Sequence, residues 1–214
     1  MNDFLQNTRA SYDTIADAYA QHIYHELEGK PFDRAFLDRF ADMVKPLGVA
    51  ADMGCGPGQI ARYLHERGVN VVGVDLSPQM IETARALNPG IKFFTGNMLA
   101  LENVADKAWG GIAAFYSNIH IPRARIPDAL REMKRALVPR GILALAFHRG
   151  AGALHEQEIW DKQIHLDYYL LERAEMEQYL QTAGFTIIET SERAPYAPDV
   201  EYQSDRVYIL ANKP

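Results

Sequence analysis

The residues best suited to chemistry form a glycine-rich loop, Asp52-Met53-Gly54-Cys55-Gly56-Pro57-Gly58. Glycines allow positive φ angles and let a ligand approach the backbone without a Cβ in the way. Asp75 follows Gly56 by 19 residues. At this spacing a carboxylate at the end of the next strand accepts hydrogen bonds from the hydroxyls of a ribose. The loop and the acid together predict a site for a nucleoside-containing cofactor.

The spacing of the glycines narrows the kind of cofactor. A dinucleotide-binding loop has a third glycine at the position that Gln59 occupies here, and no Lys–Ser or Lys–Thr pair follows as in a P-loop. Pro57 removes a backbone amide that a diphosphate would use, and the carboxylate of Asp52 would repel a diphosphate. An acid beside a glycine loop suits instead a cofactor with a positively charged end.

Short apolar strands alternate with helices along most of the chain, and these elements must position the loop and the acid. Continuous apolar runs are typical of strands that are buried on both faces of a parallel sheet. The predicted strands are 49–53, 69–75, 91–95, 112–116, 141–147, 185–189 and 206–211, and the predicted helices are 8–27, 32–44, 59–67, 78–87, 126–137 and 173–183. The sequence therefore predicts an α/β fold with a doubly wound sheet of seven strands and helices on both faces.

Composition excludes several classes of protein. The 28 acidic and 22 basic residues give a formal charge of −6, whereas dedicated nucleic-acid binders carry a basic surface. The longest apolar run, Ile142–Phe147, is far shorter than the roughly 18 residues that cross a bilayer. Cys55 is the single cysteine, the histidines lack a metal-binding spacing, and residues 1–6 lack signal-peptide features. We expect a cytoplasmic monomer or homodimer that binds no nucleic acid, membrane or metal.

Three segments together carry a resemblance to a known family: Val49–Gly58, Val72–Met80 and Ala136–Gly141. The chain resembles the class I S-adenosylmethionine-dependent methyltransferases, of the small-molecule branch, from about Tyr12 to its C-terminus. The segment Tyr12–Tyr19 is similar to the N-terminal cap helix of that branch. The resemblance implies a mostly parallel sheet whose last strand is antiparallel, with an N-terminal helical cap. It also implies S-adenosyl-L-methionine as the cofactor and S-adenosyl-L-homocysteine as its product.

The resemblance implies a cofactor role for particular residues. The backbone of Gly54 and Gly56, with Asp52 nearby, would hold the methionine moiety, and Asp75 would bind the ribose hydroxyls. The remaining predicted contacts belong to the loops and the cap helix. Leu76 would pack on the adenine, Asn97 and Met98 would bracket its edge, Tyr116 and Ser117 would lie under the sulfonium, and Cys55, Gly58 and Tyr12 complete the set.

Candidate catalytic residues follow the fourth and fifth strands or lie on the first helix. The methyl donor is already activated, so a general base is needed only if the methyl acceptor carries a proton that must leave. His120 and His148 follow the two strands, and Tyr19 lies on the helix. Arg149 and Arg206, together with several tyrosines, favour an acidic small-molecule acceptor, a hypothesis that depends on residue type alone.

The length of 214 residues predicts one domain with additional terminal and inserted material. We divide it into an N-terminal cap (1–45), a cofactor-binding half (46–148), a lid insert (149–172) and the C-terminal half of the sheet (173–214). Two alternatives stay open for function: a non-catalytic S-adenosylmethionine-binding module, and a nicotinamide-dependent oxidoreductase, which Gln59 disfavours. The acidic charge disfavours RNA as the substrate.

Overall fold

The elements that the sequence predicts are present along residues 3–214, which the computed structural model describes; residues 1 and 2 of the predicted cap lie outside the described residues. The helices are α1 (Asp3–Ile23), α2 (Pro31–Val44), α3 (Gln59–Glu66), α4 (Pro78–Leu87), α5 (Ile126–Ala136) and α6 (Arg173–Thr182). The strands are β1 (Ala50–Met53), β2 (Val71–Asp75), β3 (Lys92–Thr95), β4 (Trp109–Phe115), β5 (Leu137–His148), β6 (Ala153–Ile159), β7 (Lys162–Tyr169), β8 (Thr186–Arg193) and β9 (Arg206–Asn212).

Seven strands form one sheet in the order β3-β2-β1-β4-β5-β9-β8. β9 is antiparallel to both of its neighbours, and the other pairings within the sheet are parallel. This confirms the predicted fold class, including the antiparallel last strand. The order of strands reverses between β1 and β4, so the loops that leave their carboxyl ends diverge and leave a crevice between them.

Both faces of the sheet are covered, as the continuous apolar strands predict. Ile112 of β4 packs into a core with α5 and α6, whereas the next residue, Ala113, packs into a core with α2 and α3. Successive side chains of a strand point to opposite faces, so a strand between two layers of helices must be apolar throughout. The sheet is therefore a rigid platform for the loops at its carboxyl edge.

The segment 149–172 contains an antiparallel hairpin, β6–β7, that the sequence analysis did not predict. Its tip is formed by Trp160 and Asp161, both with positive φ (50° and 59°), and it lacks the Asn-Gly pair that marks such turns in a sequence. Ile164 and Leu166 of the hairpin pack against Ile15 of α1 rather than against the main sheet. Because only this one face is buried, the strands have no continuous apolar run.

Candidate active site

A cavity of about 720 Å³ lies at the carboxyl edge of the sheet. The loops after β1 to β5 form its floor, and α1 with the β6–β7 hairpin covers it; we call this cover the lid. The volume lies in the range of roughly 300–1,000 Å³ that small-molecule sites occupy. The predicted site residues that line the cavity are Tyr12, Tyr19, Gly54, Cys55, Gly56, Asp75, Leu76, Asn97, Met98, Tyr116, Ser117, His120 and His148.

The glycine loop lies against the loop after β4. A Cβ added at Gly54 would lie 2.2 Å from the Cβ of Ser117, so only glycine permits this close approach. A Cβ added at Gly56 would meet its nearest atom, Cε1 of Tyr19, at 3.6 Å. This is an ordinary van der Waals distance, and Gly56 lines the cavity, where a ligand can approach its backbone.

Gly58 does not contact the cavity, contrary to the predicted role in cofactor binding. A Cβ there would lie 2.8 Å from Nδ2 of Asn88 and 2.9 Å from Cζ of Phe93. The residue precedes α3 and packs under the loop rather than over it. Glycine is therefore needed at position 58 because neighbouring side chains leave no room for a Cβ, and not because a ligand lies there.

Asp75 joins the ends of two strands at the floor of the cavity. Its Oδ2 accepts a hydrogen bond from the backbone N–H of Gly56 at 2.8 Å, and its Oδ1 accepts one from Ser77 at 2.8 Å. Burial raises the pKa of this carboxyl to about 6, although the backbone donors oppose that shift. Each carboxylate oxygen has a further lone pair, so the side chain can organise the loop and accept from a ligand at once.

Three residues beside Asp75 line a mainly apolar part of the cavity. Leu76 and Met98 line the cavity, and Asn97 lies between the strand end and Met98. The Asn97 Oδ1 accepts the backbone N–H of Leu99 at 2.9 Å, which holds the side-chain amide in place. An aromatic base fits such a region, because the apolar side chains can cover the ring while the oriented amide contacts its edge.

Asp52 points away from the cavity, which corrects the predicted contact with a positively charged ligand. Its side chain is 1 % exposed, and Oδ2 accepts the backbone N–H of Ala61 in the first turn of α3 at 2.9 Å. Burial raises the pKa of the carboxyl to about 8, and the nearby charge of Asp75 adds to that shift. Asp52 therefore positions α3 and the glycine loop from beneath.

Replacing Asp52 with asparagine is expected to stabilise the protein increasingly as the pH rises. The raised pKa means that folding favours the protonated form, so the wild type loses stability between about pH 4 and pH 8, by up to about 1.4 kcal/mol per pH unit. Asparagine cannot ionise and keeps an oxygen for Ala61. Urea unfolding at pH 5, 6.5 and 8 measures the difference between D52N and wild type, with D42N as the exposed control.

A difference in unfolding free energy that does not change with pH would contradict this assignment of Asp52. The cofactor provides a second readout, because D52N should bind S-adenosylhomocysteine within about threefold of wild type, less than 1 kcal/mol. A direct contact between Asp52 and the ammonium would require a much larger loss.

Tyr12 and His120 form a hydrogen-bonded pair that ties the lid to the floor. The Asp167 backbone carbonyl can only accept, so His120 Nδ1–H donates to it at 2.9 Å, and His120 Nε2 accepts from the Tyr12 hydroxyl at 2.7 Å. Burial lowers the pKa of His120 to about 4 and raises that of Tyr12. The imidazole is neutral, and its lone pair is already used.

Tyr19 lies over the glycine loop and packs edge-on against Tyr12 and Trp160, with ring centroids 5.7 and 5.9 Å apart. Burial raises the pKa of its hydroxyl well above the usual range. The phenol therefore stays protonated, so it can orient a ligand or donate a hydrogen bond but does not act as a base near neutral pH.

His148 lies at the opposite end of the cavity, beside Tyr116. The two rings are 5.1 Å apart, and His148 Nδ1 lies 2.7 Å from Oγ of Ser204. Burial lowers the pKa of His148 to about 3, and the charges of Arg206 and Lys30 lower it further. Tyr116 itself shares a hydrogen bond with the hydroxyl of Tyr208 at 2.9 Å. Its ring is thereby fixed between the cofactor end and the His148 end.

Several cavity residues carry no signal in the sequence that marks them as functional. Gln59, whose side chain rules out a dinucleotide loop, donates from Nε2 to Glu26 at 3.0 Å. Its Oε1 is buried and has no hydrogen-bond partner among the described residues. Lys30 and Glu201 also line the cavity, although they are distant in sequence from the glycine loop. Only the packing of α1, α2 and the last loop brings them there.

The residues present fit S-adenosylmethionine. Gln59 Oε1 and Ser117 Oγ are buried, lack partners among the described residues and flank the glycine loop. An amide oxygen without a donor suits an ammonium group, and a free hydroxyl suits a carboxylate or ammonium. Asp75 is placed for hydroxyl groups, and Leu76 and Met98 for an adenine ring. The cavity thus has polar atoms for the amino-acid end of this cofactor, a carboxylate for its ribose and apolar side chains for its adenine.

The doubly wound sheet, the glycine loop after β1 and the acid at the end of β2 define a Rossmann-like nucleoside-cofactor protein. Residues 50–141 match a family profile described as "Methyltransferase domain". The chain is similar over its whole length to the structure of DhpI in complex with S-adenosylhomocysteine, with a TM-score of 0.76, 16% identity and 99% of that chain covered. Residues 50–141 thus match a methyltransferase domain, and the fold of the chain is that of S-adenosylmethionine-dependent methyltransferases of known structure.

Relatives with assigned functions are similar over part of their length. The malonyl-[acyl-carrier protein] O-methyltransferase of Enterobacter lignolyticus is 27% identical over 179 residues, which cover 79% of this chain and 65% of the relative. The trans-aconitate 2-methyltransferase of Sinorhizobium fredii is 32% identical over 131 residues, or 59% of this chain and 48% of the relative. The chain thus spans about half to two thirds of the length of these relatives. Within residues 3–214, none of the helices has both the length and the apolar character needed to cross a bilayer.

Proposed function

We propose that this protein transfers the methyl group of S-adenosylmethionine to a small-molecule acceptor. The observation that carries the proposal is the continuity of one cavity, from Asp75 and the glycine loop, past Tyr116, to His148. A cofactor site and an acceptor site must share such a space, because the methyl carbon passes directly from one to the other. The names of the two relatives support this class of reaction.

The cofactor supplies a methyl group that is already activated by a sulfonium, so the protein's tasks are binding, alignment and exclusion of water. Asp75 and the glycine loop bind the cofactor. Tyr116 and Tyr19, which both line the cavity, would help to exclude water from it. The lid, which comprises parts of the predicted segments 1–45 and 149–172, closes over the cavity through the Tyr12–His120 hydrogen bond.

We propose the same domain division, cellular location and oligomeric state that the sequence predicts. The division into a cap, a cofactor half, a lid insert and a C-terminal half is retained, as are a cytoplasmic location and a monomeric or homodimeric state. The acidic composition, with a formal charge of −6, supports a small molecule rather than a nucleic acid as the substrate.

Calorimetric titration of the purified protein with S-adenosylmethionine, S-adenosylhomocysteine and NADH tests the cofactor. We expect both sulfur-containing ligands to bind and NADH to give no heat of binding. Tight binding of NADH alone would overturn the proposal in favour of an oxidoreductase. Radiolabelled S-adenosylmethionine with pools of small acids, amines and phenols then tests transfer. Binding without transfer to any pool would indicate a non-catalytic binding module.

A further inference from the structure

We propose that the far end of the cavity binds a carboxylate and that the protein methylates an oxygen of that carboxylate. This inference rests on the proposed function and names the class of methyl acceptor at the same site. Two hydrogen-bond donors carry it, Arg206 and His148, which are direct partners in the register of β5 and β9. Because β9 is antiparallel, its first residue lies at the carboxyl edge of the sheet, beside the last residue of β5.

Arg206 has a buried donor that nothing in the described chain uses. The residue is 2 % exposed and lines the cavity. Its Nη1 donates to the carbonyl and the hydroxyl of Ser204, both at 2.5 Å, and its Nη2 donates to the carbonyl of Tyr202 at 2.7 Å. Its Nε is buried without a hydrogen-bond partner among the described residues. A buried, unpaired donor on a cation is costly, so an acceptor supplied by a ligand would remove that cost.

We assign His148 as the second donor from its contact with Ser204. Ser204 Oγ accepts from Arg206 Nη1, so the hydroxyl hydrogen of Ser204 is free to donate, and His148 Nδ1 lies 2.7 Å away. If Nδ1 accepts this hydrogen bond, a neutral imidazole carries its own proton on Nε2. In this tautomer His148 offers an N–H donor, so we propose that it binds the acceptor in place of the catalytic role that its position after β5 predicts.

Two acids that line the cavity, Glu201 and Glu26, already accept hydrogen bonds from cations. Glu201 accepts two hydrogen bonds from Arg193 and one from the backbone of Tyr196, and these donors help to lower its pKa to about 2. Glu26 accepts from Lys30 at 2.5 Å. Arg206 lies 3.6 Å from Glu201 without a hydrogen bond. Of the three cations Lys30, Arg193 and Arg206, only Arg206 directs its hydrogen bonds entirely to neutral groups.

A carboxylate is a methyl acceptor that reacts without a general base. One of its oxygens uses a lone pair to form the new C–O bond with the methyl carbon, while the C–S bond breaks and its electron pair stays on sulfur. The products are a methyl ester and a neutral thioether, and no proton is released. No base is therefore required, which agrees with two histidines whose lone pairs are held by Tyr12 and Ser204.

Binding to the complex with S-adenosylhomocysteine tests the subsite, with phenylacetate, octanoate and glutarate as probes and the corresponding amides as neutral matches. We expect at least one carboxylate to bind and the amides not to bind. R206K and H148F should each weaken that binding about 10- to 100-fold, as expected for the loss of one hydrogen bond to a charged group. R149Q is the matched control, because Arg149, contrary to the expectation from the sequence, does not line the cavity but is exposed and pairs with Glu192 at the surface.

The outcomes separate this inference from the proposed function. Equal binding of acids and amides, no carboxylate binding, or wild-type binding by both R206K and H148F would overturn the carboxylate subsite. H148F keeps the test decisive if R206K does not fold.

A labelling experiment identifies the atom that is methylated. With methyl-labelled cofactor, product label that alkali releases as volatile methanol supports a carboxyl ester. Alkali-stable label in amines or phenols would overturn the carboxylate and leave methyl transfer intact. Failure to bind S-adenosylhomocysteine at all would overturn the proposed function instead.

Discussion

D75N is expected to weaken the binding of S-adenosylhomocysteine by about 100-fold or more, because two or more charge-assisted hydrogen bonds depend on this carboxylate. Both of its oxygens already accept from backbone N–H groups, those of Gly56 and Ser77. Asparagine has one oxygen and one NH2 group, so one of the two backbone donors would face another donor. The substitution therefore removes the proposed contacts with the ribose and disturbs the glycine loop together.

Calorimetric titration measures this loss of affinity, and D42N, on the exposed surface of α2, provides the control for removing one negative charge.

The pH dependence of cofactor binding gives a second readout. Burial raises the pKa of Asp75 to about 6, and a ribose hydroxyl donates best to the ionised form. The affinity of the wild type should be constant above about pH 7 and should fall by up to about tenfold per pH unit below pH 6. D75N should show no such dependence. An affinity for D75N close to that of the wild type would contradict the assignment of Asp75 to the cofactor.

G54A is expected to destabilise the protein by about 2–5 kcal/mol, which combines about 1–2 kcal/mol for a side chain at positive φ with about 1–3 kcal/mol for overpacking. The φ angle of Gly54 is 72°, and the added Cβ would lie 2.2 Å from the Cβ of Ser117. The loops after β1 and β4 would have to separate, and the cavity floor would open. Cofactor binding should be lost in parallel with stability.

Three further variants separate the crowding from the strain of the backbone. Gly68 has a φ angle of 79° and no atom within 4 Å of an added Cβ, so G68A should show only the backbone cost. S117G removes the Cβ with which the side chain introduced by G54A collides. Adding G54A to S117G should therefore destabilise the protein by little more than the backbone cost, without most of the overpacking cost. Urea unfolding of the four variants gives these differences. Equal losses for G54A and G68A would show that the close approach of the two loops is unimportant.

The sequence predicted the main elements of the fold well because their signals are local. The apolar runs of β1, β2 and β5 and the helical spacing of α2 and α5 identify buried elements without any knowledge of their partners. The hairpin β6–β7 was missed because its buried face contacts α1 rather than the sheet. Its turn, Trp160–Asp161, adopts positive φ angles without a residue type that predicts them.

The sequence by itself predicted a nucleoside-containing cofactor, because the glycine loop follows β1, Asp75 ends the adjacent strand β2, and their spacing is typical of such a site. The tertiary structure alone decided what the other residues do. Asp52 belongs to the same motif, but its direction depends on where α3 begins, and it points to Ala61 rather than to a ligand. His148 and Arg206 are 58 residues apart and meet because β9 runs antiparallel beside β5. A side chain's hydrogen-bonding role depends on which partners remain free after folding, and that is set by long-range contacts that local sequence does not encode.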